Sequence, residues 1–264
     1  MKKLYALILG SSSGFGKAIS LALARSGVNI LGVHLDRATT MPDVGNLISE
    51  LKSFKVDVHF FNANAADSGK RTEIIGKIKE IFSKDEDPEL KILVHSLAFG
   101  TLKPFISKDP NEMINQKQIE MTLDVMANSL VYWTQEIIKN DLMKKGGKIY
   151  AMTSSGGTRQ IEFYGAVSAA KACLESYVRQ LAMELGSMGI SANSLRAGVT
   201  QTPALSKIPK SENIIANAIQ RNPVHRLTTA EEVAEFIVDN YNNESHWMTG
   251  NVIGLDGGES IVEL

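Results

Sequence analysis

The sequence predicts an α/β fold, a doubly wound seven-stranded parallel sheet in a single domain. Three observations predict it. Short apolar runs alternate with longer amphipathic stretches from one end of the chain to the other, and strands joined by helical crossovers form a parallel sheet covered on both faces. The first apolar run passes directly into a glycine-rich turn and then a helical pattern, the opening of a βαβ unit. The chain has 264 residues, 44% hydrophobic and 22% charged, enough for one core of this class without a staple.

The strands fall at 4–9, 28–33, 56–61, 91–95, 147–152, 189–195 and 251–256. Helical spacing of apolar residues marks 16–26, 43–53, 67–83, 112–140, 164–186 and 230–240. Gly27, Gly146–Gly147 and Gly186 follow these stretches and are expected to cap them. Asp85 to Glu89, with Pro88, is expected to be a turn. One region breaks the alternation. Residues 198–224 hold Pro203, Pro209 and Pro223 around a short helical pattern at 212–221, and irregular segments of this length usually serve function. No repeat or low-complexity tract appears, so one domain is expected over 1–264, with a mobile substrate-binding loop at about 198–224.

Composition narrows the function classes. Lys+Arg number 28 against 29 Asp+Glu, a net charge of −1, without the basic excess of a nucleic-acid footprint. Cys173 is the single cysteine, expected to pack as a small core residue in a reducing, cytoplasmic setting. Met1-Lys2-Lys3 is basic, but the apolar run at 4–9 is too short for a secretory or membrane segment, so no membrane insertion is expected. The five histidines show no metal-ligand spacing, and no metal is expected.

The turn reads Gly10-Ser11-Ser12-Ser13-Gly14-Phe15-Gly16. A dinucleotide site needs glycines between a first strand and a helix for a tight turn, for close approach to a pyrophosphate and for helix-on-strand packing. The helix N-terminus then offers free N–H groups to the phosphates. At the end of the second strand an acid suits an adenosine ribose and a base suits a 2′-phosphate. Asp36-Arg37 offers both, and this pair leaves NADH and NADPH open.

Further on, Thr153-Ser154-Ser155 precedes Tyr164, and Lys171 follows seven residues later on a helical pattern. Seven residues turn about 700°, close to two full turns, so both side chains share a face about 10.5 Å apart along the axis. A lysine near a tyrosine supports a phenolate-like charge and suits stabilisation of a developing oxyanion.

Gly10-x3-Gly14-x-Gly16, Ser154, the Tyr164/Lys171 helix and Thr249-Gly250-x3-Gly254-x-Asp256-Gly257-Gly258 together resemble the short-chain dehydrogenase/reductase superfamily over essentially the whole chain. That resemblance implies a Rossmann-like sheet. Most members carry Tyr-x3-Lys, which would put the tyrosine at Val167; Tyr-x6-Lys is the spacing of the enoyl-acyl-carrier-protein reductases. His95-Ser96-Leu97-Ala98-Phe99 resembles the enoyl-reductase sequence where the majority has Asn-Asn-Ala-Gly. Met126 stands where ketone reductases have a structural asparagine, and Arg196 to Thr202 resembles the enoyl-reductase Ser-Ala-Gly-Pro-Ile-Arg-Thr stretch. Two departures are clear: the majority-type glycine turn is kept, and Ser154 occupies the place of a second tyrosine. This combination is similar to a less common enoyl-reductase branch that favours NADPH.

The resemblance implies reduction of a trans-2-enoyl thioester, carried by acyl carrier protein or CoA, with NADPH favoured and NADH as the alternative. Tyr164 would bond the thioester oxygen, Lys171 would hold the nicotinamide ribose, and Ser154 would assist catalysis or bond near the substrate. Gly10, Ser12, Ser13, Gly14, Phe15 and Gly16 would hold the pyrophosphate, Asp36 and Arg37 the adenosine ribose, and Asn64 and Ala65 the adenine. Ser96, Leu97 and Ala98, with Gly198, Thr200 and Thr202, would line the nicotinamide side. Phe99, Gly100, Ala204, Leu205 and Ile208 would meet the acyl chain, with Ile214 and Ile215 adding apolar surface. Lys207 and Lys210 at the rim would face an acidic carrier. The long helices imply a homotetramer. The rival expectations are a ketone or alcohol oxidoreductase of the same superfamily and a nucleotide-sensing protein without turnover.

Overall fold

The computed structural model describes residues 2–262. Met1, Glu263 and Leu264 lie outside the described residues, so the basic opening and the expected span of 1–264 are traced from Lys2 to Val262. The strands are β1 (Lys3–Leu9), β2 (Asn29–His34), β3 (Val58–Asn62), β4 (Pro88–His95), β5 (Lys148–Thr153), β6 (Ser191–Ala197) and β7 (Val252–Leu255). They form one parallel sheet in the order β3-β2-β1-β4-β5-β6-β7. All seven expected strands are present, with ends displaced by at most three residues.

Period-two alternation in the central strand builds two cores. Tyr5, Leu7 and Leu9 point into one, and Ala6 and Ile8 into the other, all fully buried. The second core is closed by α1 (Gly14–Arg25), α2 (Met41–Ser53) and α8 (Ala230–Tyr241). The first lies under α3 (Ser68–Phe82), α4 (Gln116–Leu123), α5 (Ser129–Lys139) and α6 (Gly165–Leu185). Strand order reverses between β1 and β4. Ligands of doubly wound sheets bind at the carboxyl ends of the strands at such a switch point.

Four local expectations need correction. The stretch 112–140 is not one helix: it starts at Gln116, where Asn115 and Gln118 form a capping box, and it is divided by a π turn at Asp124–Asn128. The Ser129 hydroxyl donates to the Val125 carbonyl at 2.8 Å across that turn. Gly146–Gly147 do not cap a helix, because α5 ends at Lys139; they serve the turn into β5, and the Gly146 N–H donates to the Gly189 carbonyl at 2.8 Å. Gly186 is right-handed and continues into a 3-10 turn, which Gly189 ends at φ +69°. Pro88 and Glu89 already belong to β4, since proline fits the first residue of a strand. Among the described residues, no helix is long and apolar enough to cross a membrane.

Candidate active site

The glycine turn is built by contact. Gly10 leaves β1 at φ +89°, and a Cβ there would collide with the Ser96 carbonyl leaving β4. A Cβ on Gly16 would run into the Gly10 carbonyl. Those two glycines let the exits of β1 and β4 and the start of α1 close on one another. Ser13 caps α1 with extended backbone and no side-chain bond, and the first turn carries no acid, so its N–H groups stay available to an anion. Ser12 reaches the Asp36 carboxylate instead, and Phe15 packs into the α1 core. Gly14 faces the Thr202 side chain, with 3.5 Å from its Cβ position to the Thr202 methyl. The segment after β6 therefore lies over the turn.

Asp36 sits at the end of β2. One carboxylate oxygen pairs with His34 Nδ1 at 2.8 Å and the other accepts from Thr40 at 2.8 Å. Burial works to raise its pKa, but the bonds from Ser12, His34 and Thr40 outweigh it and hold the carboxyl below its ordinary value. Arg37 beside it is exposed. Asn64 is exposed and caps its own turn, accepting from the Ala66 N–H at 3.0 Å. Ala65 is buried, and its carbonyl accepts from the Trp133 indole at 2.8 Å.

After β4, Ser96 donates its N–H to the Leu9 carbonyl at 2.8 Å. Leu97 packs on the first core, while Ala98 and Phe99 are exposed. Gly100 is enclosed: a Cβ would lie 2.7 Å from Val167, 2.8 Å from Thr122 and 3.0 Å from the Met126 sulfur. Val167 and Met126 are themselves buried. Val167 and Met126, the two positions at which the sequence departs from the majority pattern of the family it resembles, are thus spent on apolar packing.

Tyr164 is the N-cap of α6, one residue before the helix, whereas spacing had put it on the helix itself. Its phenol is raised by burial, and the Ser154 hydroxyl beside it pulls the other way. Lys171 is buried, and its Nζ donates to the Met152 carbonyl at 2.7 Å. Burial pushes it down to about 8, against the pull of Glu175, whose carboxylate accepts from Thr153 at 2.6 Å. His95 lies fully buried nearby, pushed down to about 3 by burial and by Lys171.

The 198–224 segment covers this floor. Thr200 is buried and donates to the Gly198 carbonyl at 3.1 Å, and Thr202 accepts from the Leu205 N–H at 3.2 Å. Ala204, Leu205 and Ile208 are half-buried around a 3-10 turn, followed by α7 (Ser211–Arg221). Lys207 is exposed, while Lys210 pairs with Glu162 at 2.7 Å. Sequence reasoning missed Glu259. It is 4% exposed, accepts from the Val199 N–H at 3.0 Å and pairs with Arg221 at 3.5 Å, tying both ends of the cover to the chain's C-terminal stretch. Nothing in the sequence signals it, because its partners lie 60 and 38 residues away.

The chain is similar to known proteins. A family profile described as Enoyl-(Acyl carrier protein) reductase matches residues 10–260. An NADH enoyl-acyl-carrier-protein reductase of a Nostoc species is 31% identical over 181 residues, 69% of this chain and 69% of that protein. A 3-oxoacyl-acyl-carrier-protein reductase of Thermotoga maritima is 24% identical over 253 residues, 96% of each chain. The fold is that of the Aquifex aeolicus NADH enoyl-acyl-carrier-protein reductase, with a TM-score of 0.85 at 22% identity over 100% of this chain and 98% of that one.

Proposed function

The chain belongs to the short-chain dehydrogenase/reductases, in the family described as Enoyl-(Acyl carrier protein) reductase, and from that premise we propose that this oxidoreductase saturates trans-2-enoyl thioesters carried by acyl carrier protein or CoA. The observation that carries the reading is Val167, buried against Gly100. With that position spent on packing, Tyr164 is left as the phenol at the mouth of α6.

The residues fit a nicotinamide dinucleotide. Gly10 and Gly16 make a cradle that any Cβ would fill, beneath the uncapped start of α1. When bound, the reduced nicotinamide supplies the hydride for the β-carbon. Tyr164, held protonated by burial, donates a hydrogen bond to the thioester oxygen, a bond that strengthens as negative charge collects there. Lys171 holds the ribose hydroxyls and keeps the local field positive. Ser154 steadies the phenol. Phe99, Gly100, Ala204, Leu205 and Ile208 take the acyl chain and exclude water, with 198–224 as the substrate loop. Lys207 is free to meet an acidic carrier, whereas Lys210 must first leave Glu162. Both oxygens of Asp36 are engaged within the protein and Arg37 is exposed, which supports NADPH over NADH. A homotetramer belongs to the same reading, supported by the exposed Met183 and Met188; sedimentation checks it.

A second reading, reduction of a 3-oxoacyl thioester, is favoured by Ser154 beside Tyr164. Turnover of crotonyl against acetoacetyl thioester, each with NADPH and NADH, separates the two. Faster reduction of the ketone overturns the enoyl reading.

A further inference from the structure

His95 has no part in the scheme above, yet it is fully buried where β4 ends and Lys171 acts on it. Its Nε2 lies 2.8 Å from the Ser129 hydroxyl. Ser129 has a single proton, and that proton goes to the Val125 carbonyl at 2.8 Å in the π turn. The serine oxygen can therefore only accept from the histidine, so Nε2 carries the ring hydrogen. The other nitrogen, Nδ1, is left as a bare acceptor, buried and without a hydrogen-bond partner among the described residues. A buried acceptor of this kind is costly unless something donates to it. His95 stands beside Ala151 of β5 in the sheet, and the carbonyl of the next residue, Met152, accepts from Lys171 Nζ at 2.7 Å, so the ammonium comes to this ring with further N–H donors to place.

We infer that His95 is a positioning residue for Lys171: the Val125–Ser129–His95 chain fixes the Nε2–H tautomer, and the Nδ1 lone pair receives the lysine ammonium through one water, holding it charged beside the cofactor ribose. The π turn then has a purpose, since it brings the Val125 carbonyl and Ser129 to the histidine. Among charged groups, Glu175 from its own helix acts on Lys171, and the neutral His95 ring comes to it from β4. Glu175 supplies a negative charge, and the His95 lone pair adds to the hold on the lysine proton.

This inference rests on the role proposed for Lys171, and its tests use no thioester, so a failed enoyl assay leaves them standing. Protein labelled with 15N-histidine is expected to show His95, assigned by loss of its signals in His95→Gln, as neutral with a protonated Nε2 and a bare Nδ1. A protonated Nδ1 overturns the inference. Ser129→Ala touches neither Lys171 nor cofactor, and it releases the tautomer. NADPH binding, followed by fluorescence, is then expected to weaken roughly tenfold at pH 8, the scale of one hydrogen bond to a charged group, and to return close to the parent value at pH 6, where Lys171 is protonated regardless. Equal weakening at both pH values, or none at either, assigns His95 and Ser129 to packing and overturns the proposal.

Discussion

Two helices carry residues of the candidate site and are held by opposite means. In α6, eleven of 21 residues are buried, among them Val167, Ala170, Lys171, Leu174 and Glu175. In α7, one of 11 is buried, Ala218. The first is part of the core and fixes side chains to within what packing allows. The second hangs on polar ties: Lys210 to Glu162, Arg221 to Glu259, and Asn222 to the Asp256 carbonyl at 3.0 Å. A helix with few apolar contacts opens at lower cost than one packed in the core. The difference teaches where position is stored and where motion is permitted, and substitutions in the two helices should separate accordingly.

The largest effect is expected at Lys171. An unfolded chain keeps this proton up to about 10.5, whereas the folded one releases it near 8. Between those pH values the unfolded state binds more protons, so stability rises with pH across the window, and below it the folded protein carries the full cost, about 3 kcal/mol. Lys171→Met removes that cost and leaves the Met152 carbonyl without its donor, worth about 1 kcal/mol. The expected outcome is a protein about 2 kcal/mol more stable at pH 7 by denaturant melt, with turnover lower by roughly 10²–10⁴-fold. A loss of stability would show that α6 holds Lys171 for packing alone.

Next comes Tyr164→Phe, which keeps the ring and removes the hydroxyl. Cofactor affinity should hold while kcat falls roughly 10²-fold or more. An unchanged kcat takes Tyr164 out of the chemistry, and binding without any turnover in the parent protein would favour the nucleotide-sensing alternative. Gly100→Ala probes the same region through packing. The added methyl meets Val167, Thr122 and Met126 within 3.0 Å or less, and overpacking of this kind costs about 1–3 kcal/mol. Pairing it with Val167→Ala should recover part of that loss, because the two sites touch.

The strands were legible because each is a short apolar run and the sheet is buried on both faces. The glycine turn was legible for a related reason: Gly10 and Gly16 are dictated by backbone collisions, and such collisions leave a residue type behind. Helix punctuation was less legible. Gly186 and Gly189 stand three residues apart, and sequence alone does not say which one turns left-handed. The π turn escaped because Asp124 to Asn128 keeps helical apolar spacing, while the inserted residue is a matter of hydrogen bonding. The His95–Ser129 contact and the Glu259 ties escaped for a common reason. Each joins residues more than thirty positions apart through one polar atom, and neither periodicity nor motif spacing records such pairs.

The smallest effect tests the loose side of the comparison. Ile214 and Ile215 lie half-buried on α7, away from both cores. Cutting both to alanine should change stability by no more than about 0.5 kcal/mol, as for surface positions. If α7 covers an acyl chain, the same double substitution should raise KM for a long-chain enoyl thioester by about 3–10-fold, since one buried methylene is worth about 0.8 kcal/mol. KM for crotonyl thioester should stay unchanged, because its chain is too short to reach the cover. A matching rise for both substrates would place α7 at the carrier or the cofactor, and a drop in stability like that expected from α6 would show the two helices to be held by the same means.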